Sequence, residues 1–234
     1  YARLPQKYGE FSRLKINPAG GGRHGVIRAG DFFKSKIGKE SMLSTPYEWF
    51  AVPEHCIAEA VNGEIFRDDL GIMTNIRRAL LEMPEDVMRK KLAGHLLLMS
   101  QSGQYNYLRC INHGETGAAQ LAAYEFVNHT MAAAFLLNKR YMPYYKWRFR
   151  AFRELPFLGG ICDSLEFLIT EDNENTAAKT KHLMMEDIAA IVSKELRSNG
   201  LTRADCSDLD RQACSVNDGI YDAEIRNLNI LFAV

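Results

Sequence analysis

Neither sign of charge is in excess in this chain: 29 lysines and arginines balance 29 aspartates and glutamates. That balance excludes a global field able to concentrate nucleic acid or an anionic membrane surface, and leaves only local basic patches for such contacts. The five cysteines, Cys56, Cys110, Cys162, Cys206 and Cys214, are odd in number and widely spread, with no CxxC pair. A disulfide framework is therefore excluded, and reduced thiols of a cytoplasmic protein are expected. No apolar run approaches the roughly 20 residues a bilayer span requires, since Glu125, Asn128 and His129 interrupt the most apolar stretch, so no membrane contact is expected. The opening YARLPQKYG carries no apolar signal region. None of the six histidines stands in an HExxH pattern or beside a cysteine at zinc spacing, and no GxSxG elbow is present, so neither a metal site nor a serine nucleophile is expected. His113 has the best claim among the histidines to a functional place, because it falls at a polar corner beside Glu115.

What the chain does have is apolar mass: 47% of its 234 residues are hydrophobic, enough to bury a sizeable core. The stretch from Glu115 to Tyr141 is its centre. Ala118, Leu121, Ala122, Val127, Met131, Ala134, Phe135 and Leu137 leave little polar surface, which predicts a centrally buried helix. Pro143 stops it, and the aromatic, basic run YMPYYKW follows at once. The preceding helix is predicted from Pro84 to about Arg109, with Gly103 as its weak point. The short turn at Asn112 to Gly114 then packs the two helices antiparallel.

Around this pair the expected architecture is mainly α, a multi-helix bundle with a small N-terminal β-containing appendage. Residues 1–43 form that appendage and residues 44–234 the bundle. A strand is expected near RLKI at 13–16 and another strand or a strand-to-helix passage from Val26, with the Gly20 to Gly22 run read as a hairpin turn rather than a phosphate loop. Pro46 and Pro53 suit helix starts, and Asp68 or Asp69 suits the cap of a helix containing Ile72, Ile76, Ala79 and Leu80. Later, Leu183, Met184, Ile188, Ile191, Val192 and Leu196 recur at helical spacing up to a stop at Gly200. One last helix is expected in the closing segment.

Several polar residues stand out. Gln101, Tyr105 and Arg109 recur every fourth residue and share a helix side, with Asn106 beside it. Arg109 offers planar donors to a carboxylate or phosphate, and Glu115 at the next helix start is its expected partner. After Pro143, Lys146 follows Tyr144 and precedes Trp147, a grouping suited either to ring and phosphate contact or to packing with cations reaching outward. Arg109, Glu115 and Lys146 are expected to converge on one cleft.

The combination of TPYEWFAVPE, GEIFRDDLG, IRRALLEMPEDV, SQSGQYNYLRCINHGE and FLLNKRYMPYYKW, from about Thr45 to Leu155, resembles the family called domain of unknown function 4037, which is associated with nucleotidyltransferase-like domains. The resemblance points to Arg67, Asp68, Arg77, Gln101, Asn106, Arg109, Glu115, Asn138, Tyr144, Lys146 and Trp147 as site residues. Nucleotidyltransferases of that broad kind use a Gly-Ser helix entrance and a DxD pair to hold triphosphate and magnesium. The chain has no Gly-Ser dipeptide, and Asp68 and Asp69 are adjacent rather than one residue apart. The resemblance thus implies a substrate-binding or accessory module, not competent for transfer alone, with nucleotide and magnesium expected only in a complete associated enzyme and residues 1–43 as the remnant of its catalytic domain. The expected partners are that domain or a second copy of the chain, and a small acidic or nucleotide substrate. Two other readings stand beside this one: a dimerising or scaffolding bundle, and an independent magnesium-dependent nucleotidyltransferase.

Overall fold

The computed structural model describes residues 5–12 and 26–234. The chain is mainly helical. At its start, β1 (Lys7–Tyr8) pairs antiparallel with β2 (Phe11–Ser12) around Gly9. Two rungs close a turn; they do not amount to the expected β-containing appendage. The strand expected at 13–16 and the Gly20 to Gly22 turn lie outside the described residues. From Val26 the chain makes the second of the two expected forms, a short extended lead into helix α1 (Ala29–Ile37), which seats Phe33 and Ile37 in the interior.

Four short helices make one small core. Alongside α1 lie α2 (Pro46–Ala51), α3 (Glu54–Val61) and α4 (Ile72–Leu81), and Phe33, Ile37, Leu43, Trp49, Val52, Ile57, Ala60, Ile76 and Leu80 are buried together with Val87. Local chemistry sets each start. Thr45 caps α2 in a reciprocal capping box with Glu48, and Pro46 is preorganised for the first turn. The Asp68 carboxylate accepts the Thr74 amide at 2.7 Å, so it covers the orphan amides at the α4 N-terminus that sequence spacing assigned to it. That placement holds its carboxyl below the usual range, with the Thr74 amide as the main cause.

The larger core is built on α5 (Glu85–Met99) and α7 (Thr116–Leu137), packed against each other. Between them the chain does not run as one helix to Arg109. It passes through a π-helical segment, Ser100–Tyr107, and a short α6 (Leu108–Asn112). Gly103 lies at the middle of the π segment, where the sequence pattern was weakest. The turn before α7 follows as expected, with Gly114 at φ 73°.

α7 is buried over its C-terminal half, from Thr130 through Leu137, while Leu121 is 69% exposed. It stops at Leu137, short of Tyr141. The Arg140 amide bonds the Phe135 carbonyl and the Lys139 amide bonds the Leu136 carbonyl, a left-handed helix ending with Lys139 at φ 53°. After it come a 3-10 turn at Tyr145–Trp147, α8 (Arg148–Arg153) and α9 (Cys162–Thr170).

Helix α10 (Asn175–Ser198) matches the expected long helix, and Gly200 at φ 66° follows its end. Its buried stripe is Ala178, Lys181, Met185, Ile188, Ala189, Val192 and Leu196; Leu183 is 55% exposed. Ile188, Val192 and Leu196 of the expected set lie in this stripe and Met184 packs against it, whereas Leu183 and Ile191 face outward, because neighbouring helices select which of several apolar positions turn inward. The closing segment forms two helices rather than one, α11 (Leu209–Asp218) and α12 (Ala223–Asn227), each capped by an aspartate, Asp208 and Asp222. Among the described residues no helix is long and apolar enough to cross a membrane, and all five cysteines are free.

Candidate functional site

The last turns of α1, α4 and α7 and the length of α3 converge on one groove of about 1240 Å³. Ser35 and Lys36 come from α1, His55, Cys56 and Glu59 from α3, Leu81 from α4, and Lys139 to Trp147 from the chain after α7. Helix C-termini bring unpaired carbonyls and partial negative charge. Cations answer them: Arg77 donates to the Val61 carbonyl and, at 2.7 Å, to that of Gly63 at the end of α3. Lys139 and Arg140 stand at the end of α7, and Lys36 is paired with Glu59 at 2.6 Å.

Lys146 is placed differently. It sits on the 3-10 turn, its ammonium 5.5 Å from the centre of the Trp147 ring, and no carboxylate pairs with it among the described residues. Tyr144 beside it lies against both His55 (5.6 Å between ring centres) and Tyr145 (4.5 Å). Trp147 is 51% exposed, so it does not serve as the packing anchor of an amphipathic helix; Phe152 takes that place, fully buried. The groove therefore offers ring faces beside an uncommitted cation. Burial and then Glu59 push the Cys56 thiol up from the ordinary value, which disfavours its thiolate.

The wall of the groove is pinned from beneath by buried charge. Glu54 accepts the Met142 amide at 3.4 Å, and Lys91 on α5 stands 3.8 Å from the same carboxylate, with side chains 9% and 5% exposed. Burial pushes the Glu54 carboxyl up, opposed by Lys91, the Met142 amide and Arg148; burial pulls Lys91 down, opposed by Glu54. Arg148 donates to the Pro143 carbonyl at 3.3 Å and to Asn128 on α7. Tyr141 donates to the Leu80 carbonyl, tying the wall to α4, and burial raises its phenol.

The expected cleft of Arg109, Glu115 and Lys146 does not form. Glu115 immediately precedes the 22-residue α7 and Lys146 follows its end, so a helix roughly 33 Å long lies between them in the chain, and neither Arg109 nor Glu115 lines the groove that Lys146 lines. Arg109 and Glu115 are both exposed and make no ion pair with each other among the described residues; Arg109 instead covers the ring of Tyr105, 4.7 Å from its centre, and donates to its hydroxyl. Arg67 pairs with Asp69 on the surface at 2.6 Å. Asn106 is exposed. Asn138 ends α7 and clasps the Phe157 backbone, donating to its carbonyl at 2.9 Å and accepting its amide at 3.0 Å. Of the twelve candidates, Tyr144, Lys146 and Trp147 line the groove. Gln101 and Tyr105 line a separate hollow of about 570 Å³ with Glu186, Asp208 and Asp210.

Two spacings escape a reading centred on Asp68 and Asp69. Gly20, Gly22 and Gly25 have the G-x-G-x-x-G spacing, outside the described residues. Asp208, Leu209 and Asp210 are a D-x-D run, placed at a helix N-terminus, where the Asp208 carboxylate accepts the amides of Asp210 at 3.0 Å and Arg211 at 3.3 Å. Among the described residues no group of three or more histidine, cysteine, aspartate or glutamate side chains is set to hold a metal ion. Glu54, His55, Lys91, His95 and His129 were also missed. A signal existed for His95, a lone polar residue within the otherwise apolar run from Leu92 to Met99.

The groove wall and the charges beneath it fall within one continuous segment. Residues 49–148 match the family described as Domain of unknown function (DUF4037). The DUF4037 match begins at Trp49 in the small core and ends at Arg148, so it takes in Glu54, Lys91 and the whole turn from Lys139 to Trp147. Helices α1 and α9 to α12 lie beyond it, although α1 supplies part of the groove. No curated protein and no solved structure matches the chain.

Proposed function

We propose that the chain is a helical substrate-binding module, accessory to a nucleotidyltransferase-like protein, whose groove takes a ring-bearing anion of the nucleotide class. One observation carries this reading: Lys146, without a carboxylate partner among the described residues, stands beside the exposed rings of Tyr144 and Trp147 at the mouth of a groove of about 1240 Å³. Lys36 is engaged with Glu59 and Arg140 with the Glu154 carbonyl, while Lys146 is the groove cation that stands beside a ring, so it is placed to meet the charged part of a ligand while Tyr144, His55 and Trp147 offer faces to its ring. Transfer chemistry is not assigned to the chain, because the Asp208 carboxylate is occupied in capping α11 and that of Asp68 in starting α4.

The test is a titration of the chain with nucleoside triphosphates, nucleosides and inorganic pyrophosphate, followed through Trp147 fluorescence. Nucleotides are expected to bind more tightly than either fragment. Lys146→Ala is expected to weaken nucleotide binding by about tenfold or more, the loss of one charge-assisted contact. Absence of any nucleotide binding, or affinity unchanged by K146A and by Tyr144→Ala, would remove the reading.

The dimerising alternative draws on a different surface, where Tyr47, Phe50 and Phe232 meet edge to face with ring centres 5.8 to 6.4 Å apart. Tyr47 and Phe232 remain exposed there. Sedimentation over a wide concentration range tests it, and a strictly monomeric chain would remove an obligate dimer.

A further inference from the structure

His95 on α5 and His129 on α7 meet across the seam of the bundle with their Nδ1 atoms 2.9 Å apart and ring centres at 5.2 Å. Two nitrogens at that distance need one hydrogen between them. The other ring nitrogen decides which residue carries it. His129 Nε2 lies 3.0 Å from the Glu125 carboxylate, which only accepts, so Nε2 holds a hydrogen. A neutral His129 then presents a bare Nδ1, and the shared hydrogen belongs to His95. Donation runs from His95 Nδ1 to His129 Nδ1, and from His129 Nε2 to Glu125.

This arrangement accepts one more proton without damage, on His95 Nε2. A second proton has no place except His129 Nδ1. It would set two N–H groups against each other at 2.9 Å and abolish the bond.

The neighbouring charges oppose even the first. Lys91 lies one turn before His95 on α5, paired with Glu54 of α3, and Arg148 comes from α8 to Asn128, next to His129. Glu125 on α7 is the favourable charge, and its side chain is 57% exposed. Burial, His129 and Lys91 hold His95 well below the ordinary histidine range; burial and Arg148 lower His129 against the pull of Glu125. The same Arg148 holds the Pro143 carbonyl, so a charge gained by His129 acts on the residue that fixes the groove wall.

We propose that His95 and His129 form a pH-sensitive latch between α5 and α7, closed while they share a single hydrogen and opened by a second added proton, which displaces Arg148 and loosens the 143–148 wall of the groove. The latch sets the shape of the wall whatever the groove binds.

The sign follows from the direction of both shifts. Histidines lowered in the folded state bind fewer protons there than in the unfolded chain, so their contribution is present above about pH 6.5 and is lost as the pH falls below it. Glu54 has the opposite sign: its raised carboxyl favours the folded state at low pH and loses that contribution as the pH rises. It cannot produce a loss on acidification.

The experiment lowers the pH of the chain from about 8 to about 5, across the histidine range, while long-range nitrogen spectra follow the imidazoles and fluorescence follows Trp147. The expected result at neutral pH is His95 protonated on Nδ1 and His129 on Nε2. Both should titrate below about 6.5, with a Trp147 change at the same midpoint that is missing in Trp147→Phe. His129→Gln, which cannot gain the proton, is expected to abolish the Trp147 step. Independent titration of the two rings near the ordinary value, or a Trp147 signal unmoved while they titrate, overturns the latch. The spectra of the unsubstituted chain decide this on their own if H129Q fails to fold.

Discussion

The ring of Phe126 occupies the space where a side chain on Gly103 would have to go: a β-carbon built there would come within 2.3 Å of the ring. This contact explains why the π-helical segment lies directly on α7, and why residue 103 has no side chain although it sits within helical structure. Gly103→Ala is expected to destabilise the fold by about 1–3 kcal/mol through overpacking, measured by chemical denaturation. Phe126→Leu in the same background should recover part of the loss.

The Glu54–Lys91 pair makes a second prediction. Removing one partner leaves the other buried and uncompensated, so Lys91→Met is expected to cost about 3–5 kcal/mol. Combining it with Glu54→Gln should restore much of that stability. A double-mutant cycle measures the coupling, and strictly additive losses would show that the two charges do not interact.

Lys139 adopts a left-handed conformation, φ 53°, at the end of α7. That conformation costs a residue bearing a β-carbon on the order of 1 kcal/mol. Lys139→Gly is therefore expected to leave stability unchanged or raise it slightly, by up to about 1 kcal/mol once the greater freedom of glycine in the unfolded chain is counted. In the same variant nucleotide affinity should fall less than in K146A, because Lys139 serves the helix end.

Acid sensitivity should also appear at the α2 cap. Hydrogen bonds from Lys39 and from the Ser44 amide hold the Glu48 carboxyl at about 2, below its ordinary value of 4.5. A lowered carboxyl contributes its stability above the ordinary value and loses it as the pH falls through the lowered one. Glu48→Gln is expected to remove pH dependence between those two values in the thermal midpoint, while leaving the histidine window untouched.

Much of the helical architecture was legible because its signals are local. Proline at the start of α2, Gly200 after α10 and the apolar density of α7 act within a turn or two of themselves, and each is found where the spacing puts it. Tyr144, Lys146 and Trp147 were legible for the same reason: they follow the helix stop directly. Asp68 or Asp69 was expected to cap α4; Asp68 accepts the Thr74 amide from ahead of the N-cap position, which Gly71 holds, and Asp69 pairs with Arg67.

The site as a whole was decided in three dimensions. Sequence proximity joins Arg109 to Glu115, yet both face solvent without pairing, and α7 carries the chain away from them before Lys146 is reached. Glu54 meets Met142, 88 residues later, and His95 meets His129, 34 residues later, only because α3, α5 and α7 pack side by side. The exposed Leu183 and buried Lys181 show the same limit within one helix, where several faces are apolar enough to turn inward. Local spacing determined where helices begin, end and are capped, since those energies act between residues a few positions apart. Which buried charges pair, and which helix ends enclose the groove, was set by packing between segments distant in the chain, whose desolvation and contact energies exist only once the fold has formed.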